Sequence, residues 1–144
     1  LTDGASATLI CNEEYAKKNN LDILAKIVST AIQGCPPELM GLGPIEASKK
    51  ALKRAGLLIE DIDIIEINEA FASQCLACIH DLNIDQHKVN IDGGAIALGH
   101  PLGATGSRIT AKAAQLLKRE KKKYALSTQC IGLGQGIATI LESY

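Results

Sequence analysis

The run Gly93-Gly94-Ala95-Ile96-Ala97-Leu98-Gly99-His100-Pro101-Leu102-Gly103-Ala104-Thr105-Gly106-Ser107-Arg108 constrains this chain more than any other stretch. Five glycines, one histidine and one proline stand directly ahead of an apolar pattern with helical spacing. Glycine permits close backbone approach or positive φ, and proline removes a donor and fixes φ. His100, held between Gly99 and Pro101, is therefore expected at the tip of a sharp turn at the mouth of a helix. Turns of that kind carry chemistry more often than packing.

The rest of the chain supplies a frame for that turn. Ala5 to Cys11 is small and apolar and reads as a buried strand, after which Asn12 caps a short helix ending at Asn19-Asn20. Ile23 to Ile32, rich in Ile, Val and Thr, reads as a long strand broken by Gly34-Cys35-Pro36-Pro37. Pro44 opens a helix that Gly56 closes. Strands follow at Ile62–Ile67 and Val89–Ile91, with helices at Ala70–Leu82 and Thr105–Lys118. The last two strands, Tyr124–Ile131 and Ile137–Leu141, flank Gly132-Leu133-Gly134-Gln135-Gly136 and form an antiparallel hairpin. The alternation implies an α/β fold: a mixed five-stranded sheet with helices on both faces.

Composition removes several functions. A chain of 144 residues, 47% apolar and 22% charged, suits one folded domain rather than a disordered segment. A net charge of −1 offers no electrostatic attraction to nucleic acid or to an anionic membrane. No apolar run reaches the roughly 20 residues of a membrane span. Leu1-Thr2-Asp3-Gly4 has no basic start and no initiator Met, so the N-terminus reads as that of a fragment or processed product rather than a signal peptide. Five scattered cysteines, at 11, 35, 75, 78 and 130, make no disulfide framework and suit a reducing compartment, cytoplasm or organellar matrix. Cys75 and Cys78 fall inside an apolar helical pattern, and no second Cys/His pair offers zinc spacing, so they read as core residues and no metal is expected. Lys118 to Lys123 reads as a solvated helix end, and His80 and His87 as solvent-facing.

Three segments end predicted strands: Asn68-Glu69-Ala70-Phe71-Ala72, the His100 turn, and Cys130-Ile131-Gly132. In open α/β sheets such ends converge on a ligand crevice. A carboxamide, an imidazole, a thiol and a free backbone N–H meeting there could stabilise an oxyanion and move a proton. Singly, each residue has a plainer reading: Asn68 as an N-cap, Cys130 as a small buried residue, His100 as a structural histidine.

Taken in order, Asn68-Glu69-Ala70-Phe71, Gly93 to Pro101, and Cys130, Gly132 and Gly134 at alternate positions closely resemble the thiolases, the acetyl-CoA acetyltransferases and 3-ketoacyl-CoA thiolases. Asp3-Gly4-Ala5 and Met40-Gly41-Leu42-Gly43-Pro44 also match, and the resemblance covers the C-terminal third or so of a thiolase subunit. It implies that residues 1–20 are the tail end of the N-terminal half and 21–144 the C-terminal domain. It implies acyl transfer to and from CoA by Claisen condensation and thiolysis, with a nucleophilic cysteine in the other half. His100 takes that nucleophile's proton and later holds the thioester oxygen. On the same resemblance Cys130 is the acid/base at the acetyl α-carbon and at the leaving thiol; a thiol near an imidazole and exposed N–H groups is expected to have a lowered pKa. Asn68 holds a water that completes an oxyanion hole with His100, and the Gly132 N–H contributes to a second. Met40, Ala70 and Phe71 line the acyl and pantetheine region. The partners implied are acetyl-CoA and longer acyl-CoA thioesters, the N-terminal half, and further copies in a homodimer or homotetramer; no cofactor beyond the CoA thioester substrates is implied.

Two departures stand out: the nucleophile-bearing half is not in this sequence, and Leu133 stands where many relatives have glycine. The apolar face expected to pack on the other half is that of Phe71, Cys75 and Cys78. A non-enzymatic fragment that binds CoA or a partner is the alternative, and the superfamily's lipid-transfer branch a third reading that Asn68-Glu69-Ala70-Phe71 speaks against.

Overall fold

A computed structural model describes residues 2–144. Local chemistry explains most element ends. Asn12 caps α1 (Glu13–Lys18) by accepting the Tyr15 N–H at 2.7 Å, and Asn19 and Asn20 close it. β1 runs over Ala25–Gly34, and Pro36-Pro37 turns the chain into a 3-10 segment, Pro37–Leu42. α2 (Gly43–Ala55) carries Pro44 in its first turn, where the missing N–H costs nothing, and ends at Gly56 in the left-handed region. β2 (Ile64–Ile67), α3 (Ala72–Asp81), the single turn α4 (Ala95–Leu98) and the long α5 (Leu102–Glu120) follow. β3 (Tyr124–Ile131) and β4 (Gln135–Ser143) finish the chain as an antiparallel hairpin.

The sheet order is β1–β4–β3–β2. β4 pairs antiparallel with both neighbours, and β2 pairs parallel with β3, so the sheet is mixed. Strand alternation sends side chains to two faces. Ile65, Ile67, Leu126, Ala138 and Ile140 pack with α2 and α3 on one face; Ile64, Ala125 and Leu141 pack with Ala113, Leu116 and Leu117 of α5 on the other. Each fully buried Ile or Leu here contributes about 1.5–3 kcal/mol, which is what holds α5 to the sheet.

Among the described residues the sheet has four strands, not five. Val89 makes a single parallel bridge to Ile65, and positive φ at Asn90 ends the extension there. Ala5–Cys11 is exposed chain rather than a buried strand: it has no strand partner among the described residues and lies along α5, with Ser6 Oγ donating to Ala104 O and Thr8 hydrogen-bonded to Ser107. α5 begins at Leu102, not Thr105, because its first turn carries an exposed Leu102 and Gly103 that give no apolar period. Finally, Cys75 and Cys78 face the core, as first read, and so do not form an outward apolar face; Phe71 and Leu76 are the exposed apolar residues of that segment. Elsewhere, Leu9, Ile10, Ile96, Leu98 and Leu102 are all more than 60% exposed. No helix among the described residues is long and apolar enough to cross a membrane.

Parallel pairing of β2 with β3 brings the segments that follow them to one edge. Ile67 stands opposite Thr128, and Asn68 N–H donates to Thr128 O at 3.0 Å, two residues before Cys130.

Candidate active site

His100 is held at its backbone first. Gly99 adopts φ 92, a conformation that disfavours any Cβ, and Thr2 occupies the space where one would lie. Pro101 then starts α5, accepting the Ala104 and Thr105 N–H groups at 2.9 and 3.0 Å.

The imidazole is held at both nitrogens. Thr105 Oγ1 lies 2.7 Å from His100 Nδ1 and donates its proton to Pro101 O at 3.0 Å. A hydroxyl has one proton to give, so Nδ1 is the donor in that pair and Nε2 carries the lone pair. Nε2 faces Asn68 Nδ2 at 3.3 Å, a donor meeting an acceptor. Burial first, and the Arg108 charge second, hold the His100 pKa below its ordinary value of 6.5. A partly buried cation is disfavoured, so the imidazole rests neutral with its basic nitrogen turned into the site.

Thr105 is fully buried, and sequence reasoning missed it. Its signal was available: a threonine five residues after a histidine, one turn into the helix, can reach back to the ring. In Thr105→Val, which keeps the shape, the ring is expected to lose its fixed tautomer, while Thr105→Ser keeps it. Nitrogen-15 shifts of the two ring nitrogens report this directly. An unchanged Nδ1–H tautomer in the valine variant would refute the assignment.

Asn68 is buried, with Oδ1 free of any protein partner among the described residues. It does not cap α3: the helix starts at Ala72, with Phe71 at the N-cap position. The plainer reading of Asn68 therefore fails on geometry. Cys130 is half-buried near the end of β3. Its thiol is pushed up, not down, chiefly by burial and partly by Cys35 nearby. The expected depression does not occur, since burial outweighs the lowering pull of a backbone hydrogen bond at the sulfur. Gly132 is exposed, with open space where its Cβ would lie, and no turn hydrogen bond among the described residues uses its N–H. Leu133 beside it takes φ 71 and is 91% exposed.

Met40 lies half-buried in the 3-10 segment, which packs on α3 through Gly41 O and Cys78 Sγ. Ala70 is half-buried and Phe71 is 63% exposed beside the Asn68 loop. Cys75 and Cys78, both pushed up to about 11 by burial, are inert core thiols. His80 and His87 face solvent. One further titratable group escaped sequence reasoning: Glu66, buried in β2, has its carboxyl pushed up to about 7 by burial, against the pull of Lys112 and Arg108. The alternation of a four-residue strand gave no sign that a carboxylate would be turned inward.

A family model described as thiolase, C-terminal domain, matches residues 21–143. A 3-ketoacyl-CoA thiolase of Vibrio parahaemolyticus serotype O3:K6 (strain RIMD 2210633) is 56% identical over 145 residues, covering 99% of this chain and 37% of that one. The 3-ketoacyl-CoA thiolase of Aliivibrio salmonicida (strain LFI1238) is 57% identical, with 99% and 38% covered. Among solved structures, human mitochondrial 3-ketoacyl-CoA thiolase in complex with CoA superposes with a TM-score of 0.89 at 52% identity, over 92% of this chain and 34% of that one. Bacillus anthracis acetyl-CoA acetyltransferase gives 0.89 at 42% identity, with the same coverage. The chain thus spans less than two-fifths of the length of these relatives.

Proposed function

The chain belongs to the thiolase family, and on that premise we propose that it supplies the proton-handling half of a thiolase active site, acting on CoA thioesters once an N-terminal half brings the nucleophilic cysteine. The observation that carries this reading is the Asn68–His100–Thr105 line, which presents a neutral, tautomer-fixed imidazole beside a buried carboxamide. Residues 1–20 are taken as the tail of the preceding half and 21–144 as the C-terminal domain. The complete enzyme is taken as a cytoplasmic (in a eukaryote, organellar-matrix) homodimer or homotetramer, and the reaction draws on no cofactor beyond its CoA substrates.

In the thiolysis direction, His100 Nε2 takes the thiol proton of the nucleophile. The resulting thiolate attacks the 3-keto carbon of the substrate. The bond between carbons 2 and 3 then breaks, leaving an acyl-enzyme and the enolate of acetyl-CoA. The protonated Nε2 now donates to the enolate oxygen, together with a water held by Asn68. Donors placed where charge develops lower the barrier most. Cys130 gives its proton to the enolate carbon, releasing acetyl-CoA. The same thiolate takes the proton of incoming CoA, whose sulfur attacks the acyl-enzyme while the Gly132 N–H supports the oxyanion; the bond from the acyl carbon to the nucleophile's sulfur then breaks, and the released thiolate recovers its proton from His100 Nε2. Burial keeps Cys130 a thiol at rest, which is the form this direction uses first. Met40, Ala70 and Phe71 border the path of the acyl chain and pantetheine arm.

Asn68→Ala tests the carboxamide. In an enzyme completed with an N-terminal half, it is expected to remove about 2–4 kcal/mol of transition-state stabilisation, the usual range for one oxyanion donor. Melting temperature and kcat are to be measured on the same preparation. An unchanged kcat would end the oxyanion assignment.

A further inference from the structure

Asn68 and His100 meet across 32 residues of chain, so something must set their separation. Neither residue fixes it alone, since their mutual contact is a single 3.3 Å pair. The loops that carry them are joined elsewhere by a second set of hydrogen bonds, centred on Glu69.

Asn90 stands beside the end of β2 and pairs with it as a neighbouring strand would. Its N–H donates to Ile65 O at 2.8 Å; its side-chain Oδ1 accepts the Ile67 N–H at 3.0 Å, and its Nδ2 donates to Ile67 O at 2.9 Å. A side-chain carboxamide thus replaces a peptide group, which lets the backbone at Asn90 turn into positive φ toward Gly93. The same Nδ2 donates to Glu69 Oε1 at 2.8 Å. The other carboxylate oxygen, Glu69 Oε2, accepts the Ile96 N–H at 2.9 Å. Ile96 lies in the first turn of α4, whose own N-cap position, Gly94, has no side chain to offer. Glu69 therefore caps from outside the helix that leads to His100, through a charge-assisted bond.

Gly94 fits this arrangement. Its φ of −117 is open to any residue, so conformation does not demand glycine there. Space does: a Cβ on Gly94 would fall on the Glu69 carboxyl group. Gly94 and Glu69 are complementary shapes in one contact.

We infer that Glu69 is a positioning residue: its carboxylate, oriented by Asn90 and seated over Gly94, locks the Asn68 loop to the His100 turn and sets the distance between the two groups. The inference rests on the reaction proposed above for its kinetic consequence, but not for its structural one. Glu69 touches neither the reacting atoms nor the imidazole among the described residues, so its effect is on geometry. Misplacing a catalytic group by about 1 Å can cost about 100-fold in rate.

The experiment has two arms. In the 144-residue chain, amide hydrogen exchange at Ile96 is compared for the parent and Glu69→Gln, which turns an NH2 group toward one of the two donors. Exchange at Ile96 is expected to accelerate by about tenfold or more, the equivalent of losing one charged hydrogen bond. Unchanged protection overturns the inference whether or not the thiolase reading holds. In the enzyme completed with an N-terminal half, Glu69→Gln is expected to lower kcat by about 10- to 100-fold with KM for the acyl-CoA within about twofold. Gly94→Ala is expected to do the same, and the pair Glu69→Ala with Gly94→Ala to lose less than the product of the two single losses, because removing the carboxylate makes room for the methyl group. Additive losses in that cycle, or wild-type kcat in Glu69→Gln, overturn the inference. An inactive parent enzyme would instead count against the proposed reaction, with the exchange arm still deciding the role of Glu69.

Discussion

In a thiolase completed by joining this chain to an N-terminal half, His100→Ala is expected to slow both half-reactions by about 10,000-fold or more, the product of losing a general base (about 100- to 10,000-fold) and an oxyanion donor (about 100- to 1,000-fold). The two losses come together because one nitrogen does both tasks. Nε2 is held as the acceptor at rest by the Nδ1–Thr105 bond, and becomes a donor once it has taken the nucleophile's proton. Acyl-enzyme trapping and deuterium exchange at the acetyl α-carbon measure the halves separately, and both should fall. The pH profile adds a second check. A histidine pKa lowered by burial keeps the base form at lower pH than usual. The acid limb of kcat/KM assigned to His100 is therefore expected below 6.5, the ordinary histidine value. A limb above that value would contradict a desolvated imidazole.

Cys130→Ser is expected to divide the two measurements. Serine keeps the shape but raises the acid/base pKa by several units, so exchange at the α-carbon should fall by about 1,000-fold. Acyl-enzyme formation from a reactive thioester, whose thiolate leaves without needing a proton, depends less on this group and should fall by less than about tenfold. The structure sharpens the expectation, because burial already pushes the Cys130 thiol upward. The residue has no spare acidity with which to tolerate a weaker acid. Equal losses in both assays would remove Cys130 from its assigned role.

How much of this was legible in the sequence depends on the range of the interactions involved. Asn12, Pro44 and Gly56 act on their own helix ends, and each did what local chemistry requires of it. The His100 turn was legible for the same reason: Gly99 and Pro101 restrict the backbone on either side, whatever lies farther away. Elements that depend on partners were not. Ala5–Cys11 has strand composition but no strand beside it among the described residues, and so lies along α5 as exposed chain. Val89–Ile91 has the right side chains, yet Asn90 uses its carboxamide to pair with β2 and turns the backbone out of the sheet. The site divides in the same way. Asn68, His100, Cys130 and Gly132 stood out by type and spacing, whereas Thr105 and Glu69 act through contacts that only the folded chain brings together. The direction of the Cys130 shift also needed the structure, since it depends on how deeply the sulfur is buried.

Whether this chain carries the proton-handling half of a thiolase site, and not the whole of it, is decided by one assay on two samples. Cleavage of acetoacetyl-CoA by CoA is measured for the pure 144-residue chain, and for the same chain joined to the N-terminal half of a relative such as the Vibrio parahaemolyticus enzyme. Background rates are expected for the chain alone and clear turnover for the joined protein, abolished by His100→Ala. Turnover by the chain alone, or a folded joined protein that remains inactive, would contradict that division of the site.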